Sequence, residues 1–199
     1  ILSVIIFELL YTGCISKNKP FNNQFITYCE QNFRQSPTEI ILKIDSVIST
    51  KDNGFNISKL MMIKAKCKFV VSEYDSTCIL VDSVLKLLNN ETDIRIKNKI
   101  YSDAYNTLGN IYSRKTISDS AISCYKKAYK YSSFFGPSSD LVNISINMAD
   151  AYVRNGKFDK GAYWYRKSLS LSDTLMIPER ERFPSFYGLG QVYMELRDF

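Results

Sequence analysis

Five cysteines, Cys14, Cys29, Cys67, Cys78 and Cys124, and no histidine stand in this 199-residue chain. Without imidazole the chain holds no Ser-His-Asp or Cys-His nucleophile and no histidine zinc ligand. A thiolate zinc site or a redox dithiol needs cysteines paired a few residues apart. The last four stand 38, 11 and 46 residues from one another, and they read as small buried core residues. A Cys67–Cys78 bridge is the one pairing that a single helical hairpin could hold. The carboxylates are dispersed, with no pair in an apolar setting that would raise a pKa. Gly188-Leu189-Gly190 lacks the third glycine and the preceding strand of a dinucleotide loop. With no nucleophile–base set and no metal-ligand cluster, the chain is expected to be no enzyme, to carry no cofactor and no metal, and to act by binding.

The charge says where binding is not expected. Lys and Arg number 26 and Asp and Glu 20, a net +6. No quarter of the chain exceeds +3, and the densest basic group, Lys64, Lys66 and Lys68, splays over a helix surface. A solvated surface is the expectation, with no nucleic acid as partner. At 45% hydrophobic and 23% charged, the composition is that of a folded protein.

The N-terminus carries the other chemical signal. The sequence opens without Met on Ile1-Leu-Ser-Val-Ile-Ile-Phe-Glu-Leu-Leu10, followed by Tyr11-Thr12-Gly13-Cys14. An apolar run this short, ending in small residues, is the pattern of a secretory signal; a membrane span needs about 20 apolar residues. The cysteine directly after a small pair resembles the lipobox of bacterial lipoproteins. That resemblance implies that Cys14 becomes the first mature residue and carries acyl chains. They would anchor the protein in the bacterial cell envelope, facing the periplasm. Glu8 and Tyr11 depart from the lipobox pattern. The competing reading is a buried helix with Cys14 in its last turn, and with it a cytoplasmic location. Residues 15–24, with Lys17, Asn18, Lys19, Pro20, Asn22 and Asn23, read as a polar tether.

The elements that must position any binding residues show up as a repeat. Tyr105-Asn-Thr-Leu-Gly-Asn-Ile-Tyr112, Ser145-Ile-Asn-Met-Ala-Asp-Ala-Tyr152 and Phe186-Tyr-Gly-Leu-Gly-Gln-Val-Tyr193 start 40 and 41 residues apart. Each sets a large apolar residue before a small one and a Tyr three residues later. Short breaks at Lys115-Thr-Ile-Ser118 and Asn155-Gly156-Lys157 follow the first two. Second helical patterns come next, Ala121, Tyr125 and Ala128, then Gly161, Tyr165 and Ser168. Two antiparallel helices approach closely only where a side chain is nearly absent, so Gly109 should meet Ala121 and Ala149 should meet Gly161. A glycine inside a helix costs about 1 kcal/mol relative to alanine, so Gly109, Gly161 and Gly190 call for such packing.

This pattern resembles the tetratricopeptide repeat (TPR), through Leu108-Gly109, Tyr112, Ala121, Tyr125 and Ala128. The resemblance implies an all-α fold of antiparallel helical hairpins stacked as a TPR-like right-handed superhelical solenoid. Degenerate hairpins are expected over 25–101 and clearer repeats over 102–199. In the first part, a helix near Phe25–Phe33 pairs with one over Ile40–Ile48. Ser36-Pro37-Thr38-Glu39 opens the second with a capping box, and Asn53-Gly54 closes the unit. Leu60, Ile63, Cys67 and Val70 form a stripe, Ser72–Asp75 a turn, and Thr77, Val81 and Val84 a second stripe. The last repeat stops at Arg197-Asp198-Phe199, where the inter-helix turn should lie, so further repeats are expected to follow.

In the TPR family the first helix of each repeat lines a groove. The matching residues here are Asn106, Asn110, Ser113 and Arg114; Ile146, Asp150, Val153 and Arg154; and Tyr187, Gln191 and Met194. Asn and Arg suit a peptide backbone or carboxylate; Ile146, Tyr187 and Met194 suit apolar anchoring. Asn106 and Asn110 resemble part of the carboxylate-clamp subgroup, whose Lys and Arg set is not reproduced. The expectation is a protein- or peptide-binding scaffold, exported and held at the membrane by lipid on Cys14. The alternative is the sensory input region of a larger signal-transduction regulator or kinase.

Overall fold

The computed structural model describes residues 19–50 and 56–197, and all regular structure among them is helical. Nine α-helices follow one another: α1 Lys19–Asn32, α2 Pro37–Ser49, α3 Ile57–Val70, α4 Tyr74–Leu87, α5 Ile94–Arg114, α6 Ser118–Ser132, α7 Ser139–Arg154, α8 Phe158–Thr174 and α9 Glu179–Arg197. The class is the all-α, hairpin-built one that the repeat implies. Contacts divide the chain into two compact units, residues 1–80 and 81–199, with the boundary inside α4.

In the first unit, residues three or four apart put one apolar stripe on each helix. Phe25, Ile26 and Cys29 of α1 close on Ile40, Ile44 and Val47 of α2 and on Leu60, Ile63 and Cys67 of α3. The polar tether expected over 15–24 is helical from Lys19. Asn22 is buried, and it continues the Phe25–Cys29 stripe one turn back. Helix α2 starts at Pro37 as its sequence predicts, but the capping box stays open. Ser36 makes no side-chain cap bond, while Glu39 pairs with Lys43 one turn on at 2.7 Å and accepts from the Tyr28 hydroxyl. An ammonium one turn away competes better for the carboxylate than a backbone N–H does. Val70 departs from its expected stripe and is exposed; Asn53-Gly54 lies outside the described residues. Cys29, Cys67, Cys78 and Cys124 are free thiols, so no Cys67–Cys78 bridge forms. Burial, and then the neighbouring Cys67, push the Cys29 thiol up to about 12; burial pushes Cys67 up to about 11.

The second unit is built from hairpins α5/α6 and α7/α8, with α9 laid on α8. Their turns, and the turn between α3 and α4, share one device. Ser72, Thr116 and Gly156 adopt the left-handed conformation, with φ of 63°, 59° and 69°. The next backbone N–H then donates to a carbonyl five residues back, Glu73 to Lys68, Ile117 to Tyr112 and Lys157 to Tyr152, at 2.9 Å each. This Schellman closure satisfies the last carbonyls of the helix and turns the chain back at once. Only Gly156 takes the conformation without a Cβ penalty.

The small residues do allow close approach: Gly161 meets Ala149 as expected, whereas Gly109 has a different partner from the expected Ala121. A Cβ on Gly109 would lie 2.5 Å from the Tyr125 ring, so Gly109 seats the tyrosine rather than Ala121. Gly161 sits against Val153, where a Cβ would come within 2.5 Å, and 3.4 Å from the Ala149 carbonyl. In α9 the packed glycine is Gly188, which lies under Tyr165, whereas Gly190 faces open space. Tyr125, Ala121 and Ala128 of α6 form one core with Ile144, Met148, Ala151 and Tyr152 of α7. Ala149, Ala162, Tyr165 and Val192 form the next.

Candidate functional groove

Residues three and four apart on α5 put Asn106, Asn110 and Ser113 on one face, and α7 does the same with Asn147, Asp150 and Arg154. Three contacts hold α5 and α7 side by side, all at the same sequence offset of 41. Near the start of the two helices the Lys99 ammonium bonds Asp140 at 2.6 Å. Midway, the Asn147 amide donates to Asn106 Oδ1 at 3.2 Å. At the far end, Arg154 donates to the Ser113 carbonyl at 3.2 Å and to its hydroxyl at 3.1 Å. An equal offset at three levels means that the two helices run parallel and in register.

The middle level is a polar network. Asn147 Nδ2 also donates to Asn110 Oδ1 at 3.3 Å, and the same oxygen accepts from the Tyr125 hydroxyl at 2.8 Å. The Tyr165 hydroxyl donates to Asp150 in the equivalent way. Both phenols are pushed above their ordinary range, mainly by burial, and for Tyr165 also by the Asp150 carboxylate. Each is therefore a neutral donor whose ring is core and whose hydroxyl reaches the groove floor. Asn106, Asn110 and Asn147 are half-buried. Their remaining polar atoms, Nδ2 of Asn106, Nδ2 of Asn110 and Oδ1 of Asn147, have no partner among the described residues. Two donors on α5 and one acceptor on α7 are the groups that pair with the C=O and N–H of a peptide backbone.

The structure thus gathers Asn106, Asn110, Asp150 and Arg154. Arg114 is exposed in the last turn of α5. Ile146 packs against the core around Tyr165, which limits it as an anchor. In α9, Tyr187, Gln191 and Met194 are exposed; Gln191 donates to the Tyr187 hydroxyl at 3.0 Å, and Phe183 stacks on Tyr187. Among the described residues no hydrogen bond joins these three to α7, because Gly188 stands 41 residues after Asn147 and brings no amide. Asn147 is the groove residue that the repeat pattern does not mark. Its counterparts are Thr107 and Gly188, so the alignment holds no recurring polar type there. Cys14 and the apolar run before it lie outside the described residues. Among the described residues no cluster of His, Cys, Asp or Glu could hold a metal, and no helix is long and apolar enough to cross a membrane.

Antiparallel hairpins whose first helices lie side by side give a TPR-like all-α fold. Residues 102–134 match the tetratricopeptide repeat family. Solved structures that share the fold include the following two. The chain superposes on BtubC (BKLC) from P. vanneervenii with a TM-score of 0.60 and 16% identity, over 90% of this chain and 66% of that one. It superposes on PlcR from Bacillus thuringiensis, solved in complex with the peptide PapR7 and DNA, with a TM-score of 0.63 and 13% identity. That match covers 94% of this chain and 74% of that one. The chain therefore spans just under two thirds of BtubC and about three quarters of PlcR. No match is found among curated proteins.

Proposed function

We propose that this protein is a non-catalytic scaffold that binds an extended peptide, or an extended segment of a partner protein, along the α5–α7 groove. The observation that carries this reading is the group of unpartnered amide atoms on Asn106, Asn110 and Asn147, which are held by bonds from Asn147 to the other two and from the Tyr125 hydroxyl to Asn110. Preorganised donors and acceptors save the ordering cost of binding. That PlcR was solved with a peptide supports the same ligand class here. Protein or peptide, rather than nucleic acid, is the partner favoured by the charge: Lys64 pairs with Asp45 and Lys68 with Glu73, while Lys66 lies over the Phe33 ring.

The test is selection of peptides from a random display library on this chain. Peptides are expected whose affinity drops at least tenfold, about 1.4 kcal/mol, with Asn147→Ala. Selected peptides that bind Asn147→Ala and Arg154→Ala as tightly as the original protein would remove the groove from the account.

The finer reading places the scaffold outside the cytoplasm, anchored by acyl chains on Cys14. It rests on the apolar run ending in Thr12-Gly13-Cys14. Palmitate labelling in a bacterial host should mark the protein and not Cys14→Ser; label on neither contradicts it. The second reading is the input region of a larger signal-transduction regulator or kinase. The likeness to PlcR, which was solved with both a peptide and DNA and of which the chain covers 74%, supports it.

A further inference from the structure

The two edges of the second unit differ in character. Parallel first helices put the loops between hairpins on one edge and the turns inside hairpins on the other. The loop after α6 shows Phe134 and Phe135 to solvent, 52% and 41% exposed, and the loop after α8 shows Met176, 87% exposed. These loops are built alike: Phe135 and Met176 stand 41 residues apart, and so do Pro137 and Pro178. Ile94, 54% exposed, opens α5 at the same edge. Folding does not call for these side chains. Met176 holds the left-handed conformation, φ 53°, in a turn that the Ile177 N–H closes on the Ser172 carbonyl at 2.9 Å. Glycine or asparagine fills such a place at lower cost. The Phe134 and Phe135 rings pack edge to face on one another. At the opposite edge, the turns Lys115-Thr116-Ile117 and Asn155-Gly156-Lys157 are mostly polar, with Ile117 their one exposed large apolar residue.

Positive charge stands beside the apolar tips. Lys126 and Lys130 share one face of α6, four residues apart, and lead to Phe134; Lys167 lies on α8 ahead of Met176. None of the three ammonium groups has an ion-pair partner among the described residues. The carboxylates at this edge are engaged, Asp140 by Lys99 and Asp173 by Arg182. Glu179 and Glu181 open α9 beyond Met176 with Arg180 between them, so the excess of positive charge is centred on the α6 end.

We propose that this edge docks on an anionic lipid bilayer. Phe134, Phe135 and Met176 enter the boundary of the acyl chains, and Lys126, Lys130 and Lys167 lie at the headgroups. Single apolar side chains on protruding loops suit a fluid phase that closes around each of them, whereas a rigid protein partner would need a pocket for every tip. A lysine keeps its apolar stem near the chains while its ammonium reaches the headgroups. The contact needs neither acyl chains on Cys14 nor a ligand in the α5–α7 groove.

The test uses the full chain with Cys14→Ser, which takes no acyl chain, and vesicles of phosphatidylcholine with and without about one-third phosphatidylglycerol. Binding at least about tenfold tighter to the anionic vesicles is expected, and added salt should weaken it. With Trp164 as the baseline, the added fluorescence of Met176→Trp should be quenched by brominated acyl chains, and that of Lys157→Trp, at the opposite edge, should not. Phe134→Ser, Phe135→Ser and Met176→Ser together should weaken binding at least about tenfold. Helical circular dichroism and Tm should stay unchanged, because the three side chains are exposed. The proposal is overturned if the chain binds neither vesicle, or if the triple variant binds as tightly as the original. It is equally overturned if the bound Met176→Trp variant escapes quenching, which would leave the apolar run Ile1–Leu10 as the membrane contact. Binding of polyglutamate, lost with Lys126→Ala and Lys130→Ala, in a chain that ignores vesicles would make an acidic polypeptide the occupant instead.

Discussion

Asn147 donates its amide to Asn106 at 3.2 Å across neighbouring first helices, 41 residues away in sequence. The same offset recurs at Lys99–Asp140 and at Ser113–Arg154, so at every level the bond joins a residue of α5 to the α7 residue just past its counterpart in the repeat. Burial pulls the Lys99 charge down, but the Asp103 and Asp140 carboxylates outweigh it and hold the ammonium above its ordinary range. The atoms that bind helix to helix also fix the amides that face the groove.

Tyr125 and Asn110 should therefore be energetically coupled. Tyr125→Phe keeps the ring on Gly109 and loses the hydroxyl. It should lower stability by about 0.5–1.5 kcal/mol, the ordinary worth of one hydrogen bond. In a double-mutant cycle with Asn110→Ala, the two losses should sum to more than the double variant shows. Additive losses measured by urea unfolding would mean that the bond contributes nothing.

Two glycines in one repeat position should respond oppositely. Gly109→Leu drives a side chain into the Tyr125 ring and should destabilise by about 1–3 kcal/mol or more. Gly190→Leu meets open space and replaces the poorest non-proline helix former. It should leave stability unchanged or raise it by about 0.5–1 kcal/mol. Thermal melts of the two variants decide this, and equal losses would contradict the packing described.

The turn at Thr116 is a strained copy of the one at Gly156. Thr116 is β-branched and holds φ of 59°. Thr116→Gly should relieve that strain and stabilise by a few tenths to about 1 kcal/mol, against some loss from added chain freedom. The matching change, Gly156→Thr, should destabilise. A melt in which both changes lower Tm would count against the shared turn.

Alkaline pH should unfold the protein in steps set by buried groups. Cys29 and Cys67 are raised from an ordinary 9.0 to about 12 and about 11. Their native environments favour the neutral thiols, so this stability is fully present below pH 9. It is lost as pH rises from about 9 through about 11 to 12, because the unfolded thiols ionise first. The Tyr125 and Tyr165 phenols, also raised, add a loss that begins near pH 10. Stability should be flat from pH 7 to about 9 and then fall. The Cys29→Ala, Cys67→Ala double variant should be less stable at pH 7 and lose less stability above pH 9, since two of the thiols that burial raises are then absent while Cys124 remains.

The hairpins over 102–171 were legible because a small residue beside a large one, repeated at a fixed spacing, has few other uses. Other features were invisible for definite reasons. The start of α1 hid behind polar letters, since Asn22 is buried without being apolar. Gly188, not Gly190, is the packed glycine of α9, because a single glycine does not say which neighbouring helix it faces. Tyr125 and Tyr165 read as core from their spacing, and their rings are core. Their hydroxyls end at groove residues, which only the tilt of the packed helices determines. Asn147 went unmarked because its role exists only opposite Asn106 and Asn110.

The central claim is that the amides of Asn106, Asn110 and Asn147 hold an extended backbone. The most direct measurement is the side-chain amide NMR spectrum of the protein, titrated with a display-selected peptide. The account predicts that the cross-peaks of these three side chains move together and saturate with the bound fraction. Saturable binding that leaves all three unmoved, while resonances elsewhere shift, would contradict it.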